Sequence, residues 1–192
     1  MAKTKPIKVS IVVTMNAKTS INQIELPKSV AANEGRLYIG PMPGKYQEIT
    51  DFYAWIQTEK IDSVICLTPD DEIKQYSKDY LQDIKTGTVP FDYKQYPLYD
   101  HGAPNDEDFT IFLNFSITIA QDINQGKHVL IHCLEGIGRS GFVSQLVLRI
   151  FGMDPKLVAQ HVRKAGGYPE SDSQRAYLRR VDNSIFHYSY GP

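Results

Sequence analysis

Only two of the 192 residues are cysteine, Cys66 and Cys133. That scarcity excludes a domain stapled by disulfides, and the pair reads as thiols kept reduced. Long apolar runs are missing too. Nothing approaches the roughly 20 residues that cross a bilayer, and Ile11-Val12-Val13 is too short for a signal peptide. The expectation is a cytoplasmic protein with no membrane partner. Neither sign of charge prevails: 21 basic and 22 acidic residues, net charge −1, are interspersed, so no nucleic-acid partner is expected. His101, His128, His161 and His187 show no metal-ligand spacing, and neither metal nor cofactor is expected. Internal repeats and low-complexity segments are also absent.

What is present suits one packed domain. Apolar residues are 42% of the chain, enough for a single core at this length. We expect an N-terminal extension over 1–34, one domain over 35–192, and a monomer. In the extension, Val9 to Thr14 is a strand candidate and Ser20 to Glu34 reads as irregular. Gly35 to Gly40 is a short strand ended by Pro41-Met42-Pro43-Gly44. Ile49, Phe52, Tyr53 and Ile56 recur at helical spacing, which predicts a helix from about Tyr46 to Glu59. Asp62 to Thr68 has the continuous apolar character of a strand covered on both faces. A helix follows from Pro69, carried onward by Ile73, Tyr76, Leu81 and Ile84.

Val89 to Pro97 holds another short strand. Asn105 or Asp106 caps a long helix with Phe112, Ser116, Ile119 and Ile123 on one face and Gly126 as its stop. Asp154-Pro155 starts a further helix, and Ser171 or Asp172 caps the last, which carries Tyr177, Leu178, Val181 and Ile185. Strands alternating with helices imply an α/β fold, a central, mostly parallel sheet of four to five strands flanked by helices on both faces. Sites in such folds lie beyond the carboxyl ends of the strands.

At one such end stands His132-Cys133-Leu134-Glu135-Gly136-Ile137-Gly138-Arg139-Ser140-Gly141, after the apolar Val129-Leu130-Ile131 and before the apolar run from Phe142. It reads as a strand end, a glycine-bearing turn and a helix start. Five residues separate Cys133 from Arg139, so the loop can curl until the thiol faces a ring of backbone N–H groups closed by the guanidinium. Successive N–H groups in a turn and the start of a helix both attract anions. Gly136 and Gly138 permit close backbone approach, and Arg139 can grip two oxygens of one phosphate. The same field favours the thiolate, the form that attacks. A thiolate attacking a phosphoester needs an acid for the leaving oxygen, held in a loop that can close. Asp100 stands in such a loop, between Pro97 and Pro104, with Asp106 and Asp108 next in line.

His132-Cys133 through Arg139-Ser140 resembles the HCxxxxxR(S/T) signature of the cysteine-dependent protein tyrosine phosphatases. Asp100-His101-Gly102-Ala103-Pro104 resembles their mobile acid loop, and the two occur in the family's order. The resemblance runs from about Gly35 to the final helix and is similar to the compact dual-specificity and kinase-associated branch. It implies that Cys133 is the nucleophile and forms a phosphocysteine, that Arg139 binds the phosphoryl group, and that Asp100 serves as acid and then as base. It further implies that Ser140 hydrogen-bonds the departing thiolate, that His132 helps hold down the thiolate's pKa, and that Gln174 positions the hydrolytic water. Leu134, Glu135, Gly136, Ile137, Gly138 and Arg139 would surround the phosphate. Leu98-Tyr99 stands where larger members carry Trp-Pro, and no phosphotyrosine-clamping segment is recognisable in the N-terminal half.

The function so implied is hydrolysis of phosphotyrosine, with phosphoserine and phosphothreonine as further options, in a phosphorylated protein substrate. A phosphoinositide or RNA 5′-phosphate phosphatase is the alternative within the superfamily, disfavoured because the loop carries Glu135 and no lysine. A rhodanese-like sulfurtransferase leaves Asp100 unexplained. A catalytically silent phospho-binding module is at odds with intact Cys133, Arg139 and Asp100. The plainer readings are a core cysteine at 133, a turn aspartate at 100, a core histidine at 132 and a first-turn helix residue at 174. Cys66 reads as core, with a regulatory disulfide to Cys133 as its alternative.

Overall fold

Side chains alternate across a strand, and the three central strands of this chain have apolar residues at successive positions, so they must feed two cores. The computed structural model describes residues 20–27 and 33–189, with side chains as far as Ser184. The strand candidate at Val9–Thr14 and the side chain of Ile185 lie outside the described residues. The five strands are β1 (Asn22–Ile24), β2 (Arg36–Gly40), β3 (Ser63–Cys66), β4 (Asp92–Gln95) and β5 (His128–His132). Their order in the sheet is β1-β2-β5-β3-β4. β2, β5, β3 and β4 run parallel, and β1 is an antiparallel edge beside β2.

Leu37, Ile39, Ile65, Val129 and Ile131 are buried on one face with Phe112, Phe142, Val162 and Leu178. These come from α4 (Phe109–Asn124), α5 (Gly138–Ile150), α6 (Pro155–Lys164) and α7 (Asp172–Ser189). The intervening residues Tyr38, Val64 and Leu130 pack on the other face with Phe52 and Ile56 of α1 (Ile49–Glu59). Cys66 joins Ile73 of α2 (Asp70–Tyr76) and Tyr80 of α3 (Lys78–Thr86) on that side. The chain is therefore an α/β fold with a mostly parallel sheet covered on both faces. Among the described residues no helix is long and apolar enough to cross a membrane.

Three readings of local structure are corrected. Ser20 to Glu34 is not irregular throughout, since Asn22–Ile24 pairs with Leu37–Ile39 and Ile24 is fully buried in the larger core. Three residues, two of them polar, give no visible period. The helix expected from Pro69 through Ile84 is two helices, because Ser77 has φ −153° and ψ 78° and the chain starts again at Lys78. The cap expected at Asn105 or Asp106 is displaced, since α4 has Asp108 at its N-cap and Asn105 Oδ1 accepts from Asp108 N–H at 2.8 Å in the turn before it. The start signals of α6 and α7 hold. The Asp154 side chain accepts from the N–H groups of Lys156 and Leu157, and Ser171 Oγ accepts from Gln174 N–H at 3.1 Å.

Register places the site. Gly40 lies opposite His132, His132 opposite Cys66, and Cys66 opposite Gln95. All four parallel strands thus stop level, and the loops that follow them emerge side by side.

Phe112 joins the sheet to the α4–α5–α7 layer, with ring centroids 4.7 Å from Tyr96, 5.8 Å from Phe142 and 5.6 Å from Tyr177. Phe112→Ala should cost about 3–5 kcal/mol in urea unfolding with an unchanged slope, and a loss below about 1 kcal/mol would contradict this packing.

Candidate active site

Because the parallel strands stop level, four segments surround Cys133: the loop after β2, α2 after β3, the loop after β4, and its own loop after β5. Cys133 is 2% exposed. Its Sγ lies 3.2 Å from Ser140 Oγ and accepts from the backbone N–H of Gly136 at 3.3 Å. Gly136 has φ +76°, and a Cβ there would stand 2.5 Å from the Gly40 backbone. Only glycine fits that turn. α5 begins at Gly138 directly behind the loop, so its unpaired N–H groups and positive pole lie beside the sulfur.

Arg139 closes the loop. Its side chain is 2% exposed, and such a buried charge must be paired. Nη1 donates to Glu72 Oε1 at 2.8 Å and to the Leu98 carbonyl at 3.0 Å, and Nη2 donates to Glu72 Oε2 at 2.9 Å. Three of the five N–H bonds are used in this way. The Nε–H and the second Nη2–H remain, a side-on fork of the kind that takes two oxygens of a phosphoryl group. Asp100, whose side chain is 65% exposed, lies 3.6 Å from Arg139 Nη2. It sits in a turn closed by Gly102 N–H to Tyr99 O at 2.8 Å.

Glu72 was not legible as a site residue. In sequence it is one of three acids opening a helix, where the helix dipole alone would explain it. The only signal was indirect: an arginine in a buried loop requires a carboxylate from a neighbouring strand end. Lys45 and Tyr46 were missed for the same reason. Both reach the loop from the segment after β2 and hydrogen-bond the two Glu135 oxygens. Burial works against the Glu135 charge, yet Lys45 and Tyr46 outweigh it and hold this carboxyl below the ordinary range. Glu135 is therefore one half of an ion pair and not a free negative charge at the rim.

His132 and Gln174 are both buried and hydrogen-bonded. Burial pushes the His132 imidazole down to about 4. Its Nδ1 lies 3.4 Å from the Cys133 carbonyl, which can only accept, so Nδ1 carries the hydrogen and Nε2 accepts from the Tyr80 hydroxyl at 3.1 Å. His132 thus meets the loop as a neutral group, through the backbone. Gln174 is fully buried. Its Oε1 accepts from Glu170 N–H at 2.9 Å and its Nε2 donates to the Gly102 carbonyl at 3.1 Å, tying the Asp100 loop to the segment before α7. Neither bond reaches Cys133 or Arg139. Cys66 is a free thiol hydrogen-bonded to Thr68 and packed against the α2–α3 side, whereas Cys133 faces the other core. Among the described residues no group of three or more His, Cys, Asp or Glu is placed to hold a metal ion.

Residues 40–150 match a family model described as a polymorphic toxin system, DSP-PTPase phosphatase. No curated protein matches in sequence. Similar solved structures include kinase associated phosphatase (KAP) with its catalytic-site cysteine substituted by serine, 16% identical over 87% of this chain and 96% of that one, with a TM-score of 0.69. Tk-PTP in its active form is 26% identical over 78% of this chain and 92% of its own, TM-score 0.59. PTPMT1 in complex with PI(5)P is 16% identical over 80% and 94%, TM-score 0.61. At 16% identity the likenesses to KAP and PTPMT1 bear on the fold alone.

The buried His132 yields a prediction. The unfolded chain takes up this proton near pH 6.5, while the folded one resists it to about 4. Stability is therefore full above about pH 6.5 and falls by about 3 kcal/mol as the pH drops toward 4. Urea midpoints measured across this window should slope less steeply for His132→Asn than for the parent, and parallel slopes would remove His132 as the cause.

Proposed function

The chain belongs to the polymorphic toxin system DSP-PTPase phosphatase family, within the cysteine-dependent phosphatase superfamily, and from that premise we propose that it hydrolyses phosphotyrosine, with phosphoserine and phosphothreonine as secondary substrates, in proteins. The observation that carries this reading is the fork of Arg139. The guanidinium is held end-on by Glu72, presents two free N–H bonds, and lies 3.6 Å from Asp100 in the same loop system as the Cys133 thiol.

In the proposed reaction the Cys133 thiolate attacks phosphorus, the ester P–O bond breaks, and Asp100 gives its proton to the leaving oxygen. The phosphoryl oxygens, carrying the developing charge, sit against the Arg139 fork and the N–H groups of residues 134 to 139. Asp100, now a carboxylate, then takes a proton from water as that water attacks phosphorus and the P–S bond breaks. Ser140 Oγ, 3.2 Å from the sulfur, stabilises the departing thiolate. Gln174 still holds one amide hydrogen with which to orient the water. We take residues 35–192 as the catalytic domain, with β1 packed onto its edge, acting as a monomer in the cytoplasm, where two free thiols remain reduced.

Protein substrates are favoured over polyanionic headgroups. Pairing with Lys45 removes the repulsion that a lone Glu135 would exert, but the same pairing also occupies the Lys45 ammonium. Exposed aromatic faces flank the site instead, Tyr99 at 82% and Tyr46 at 45% exposure, and these suit an aromatic or peptide surface.

Purified protein should hydrolyse a generic aryl phosphate in excess chelator, and Cys133→Ser should abolish it. Turnover that survives in Cys133→Ser, or none in the parent, would sink the proposal. Asp100→Asn should lower kcat by roughly 10²–10⁴-fold and remove the high-pH limb of the rate profile, while an unchanged profile would move the acid to Asp106 or Asp108. Glu72→Ala should cost about 3–5 kcal/mol of stability, because it leaves a buried guanidinium unpaired, and should raise KM. Glu72→Gln, which keeps one acceptor, should be intermediate in both, and a wild-type KM in Glu72→Ala would separate Glu72 from substrate binding.

A further inference from the structure

On the helical face opposite α1, α5 meets α6 and α7 along a groove of about 420 Å³ whose lining includes Arg149, Arg163, Arg175, Arg179, Asp182 and Tyr168. Four guanidiniums face few acids there. Arg149 is paired with Asp182, and Arg175 with Asp172. Arg163 lies over the Tyr168 ring, 5.2 Å from its centroid, and neither it nor Arg179 has an ion pair within the described residues. The groove is therefore positive overall, with an apolar floor.

The segment 166–170 links one end of the groove to the candidate active site. Tyr168 N–H donates to the Ile137 carbonyl at 3.1 Å, and a Cβ on Gly141 would stand 2.2 Å from Tyr168 N. The 166–170 segment thus lies directly on the first turn of α5, with Tyr168 in the groove and Glu170 against Gly138 at the phosphate loop. α5 has 13 residues, about 20 Å of length, which an extended peptide covers in about six residues.

We propose that this groove docks an acidic segment of the phosphoprotein substrate, about five to seven residues from the phosphorylated one. The inference rests on the phosphatase reading above. It is tested on the whole chain with phosphotyrosyl peptides carrying a glutamate cluster about six residues before or after the phosphotyrosine, against the same peptides with glutamine. One glutamate peptide should show kcat/KM about tenfold above its glutamine twin, through KM, and the advantage should shrink at high salt. Arg163→Glu combined with Arg179→Glu should abolish the preference while leaving aryl phosphate turnover within about twofold. Equal turnover of all four peptides, or a preference that survives the charge reversal, overturns the groove assignment. If the aryl phosphate itself is not hydrolysed, the phosphatase reading fails, and fluorescence anisotropy of a labelled unphosphorylated glutamate peptide still decides the groove. Salt-sensitive binding lost on charge reversal supports it, and no binding rejects it.

Discussion

Arg139 carries a full positive charge to a position only 2% exposed, and the site cannot be assembled until that charge is satisfied. The partners that satisfy it come from two other parts of the sheet edge: Glu72 from the helix after β3, and the Leu98 carbonyl from the loop after β4. A single guanidinium therefore joins three segments that follow three different strands. Water could not replace Glu72 at little cost, because an unpaired buried charge is far more expensive than a broken surface pair. The level strand ends and the pairing of Arg139 are two sides of one constraint, since a strand one residue longer would carry its loop out of reach.

The same bonds limit how the Asp100 loop can move. Its leading end is fixed where Leu98 accepts from Arg139, and its trailing end where Gly102 accepts from Gln174 and His101 from Ser173. Between these anchors stand Tyr99 and Asp100, and the chain turns at His101 with φ +56°. Closure of the whole loop would break at least two of these hydrogen bonds. Reorienting the Asp100 side chain at the tip would break none of them, and Asp100 is already within 3.6 Å of Arg139.

What could be read in the sequence was what is contiguous. Cys133 and Arg139 lie in one loop whose spacing follows from the chemistry of holding an anion, and the apolar strands disclose a sheet covered on both faces. Asp100 stood out because prolines and a glycine mark its loop, and the structure places it 3.6 Å from Arg139. What could not be read depends on contacts between distant segments. Glu72 is one acid among three at a helix start, and Lys45 and Tyr46 follow a turn with no motif. His132 was identified, but its neutral state depends on complete burial beneath Tyr80. Gln174 was also identified, and only the fold reveals that its amide spans two loops. β1 is three residues long, below the length at which alternation becomes visible.

Charge in the site cancels in pairs. Arg139 faces Glu72, and Lys45 faces Glu135, so these two cations bring little net charge to draw a polyanion in. An arriving phosphoryl group meets directional donors instead: the backbone N–H groups of the loop, the first turn of α5 and the open side of the Arg139 fork. Such donors are shaped for one phosphoryl group and do nothing for a second one farther out. Donor geometry, and not net charge, is then what fits the site to a single phosphoryl group. Free positive charge lies farther out, on the groove between α5, α6 and α7, where Arg163 and Arg179 have no ion pair among the described residues.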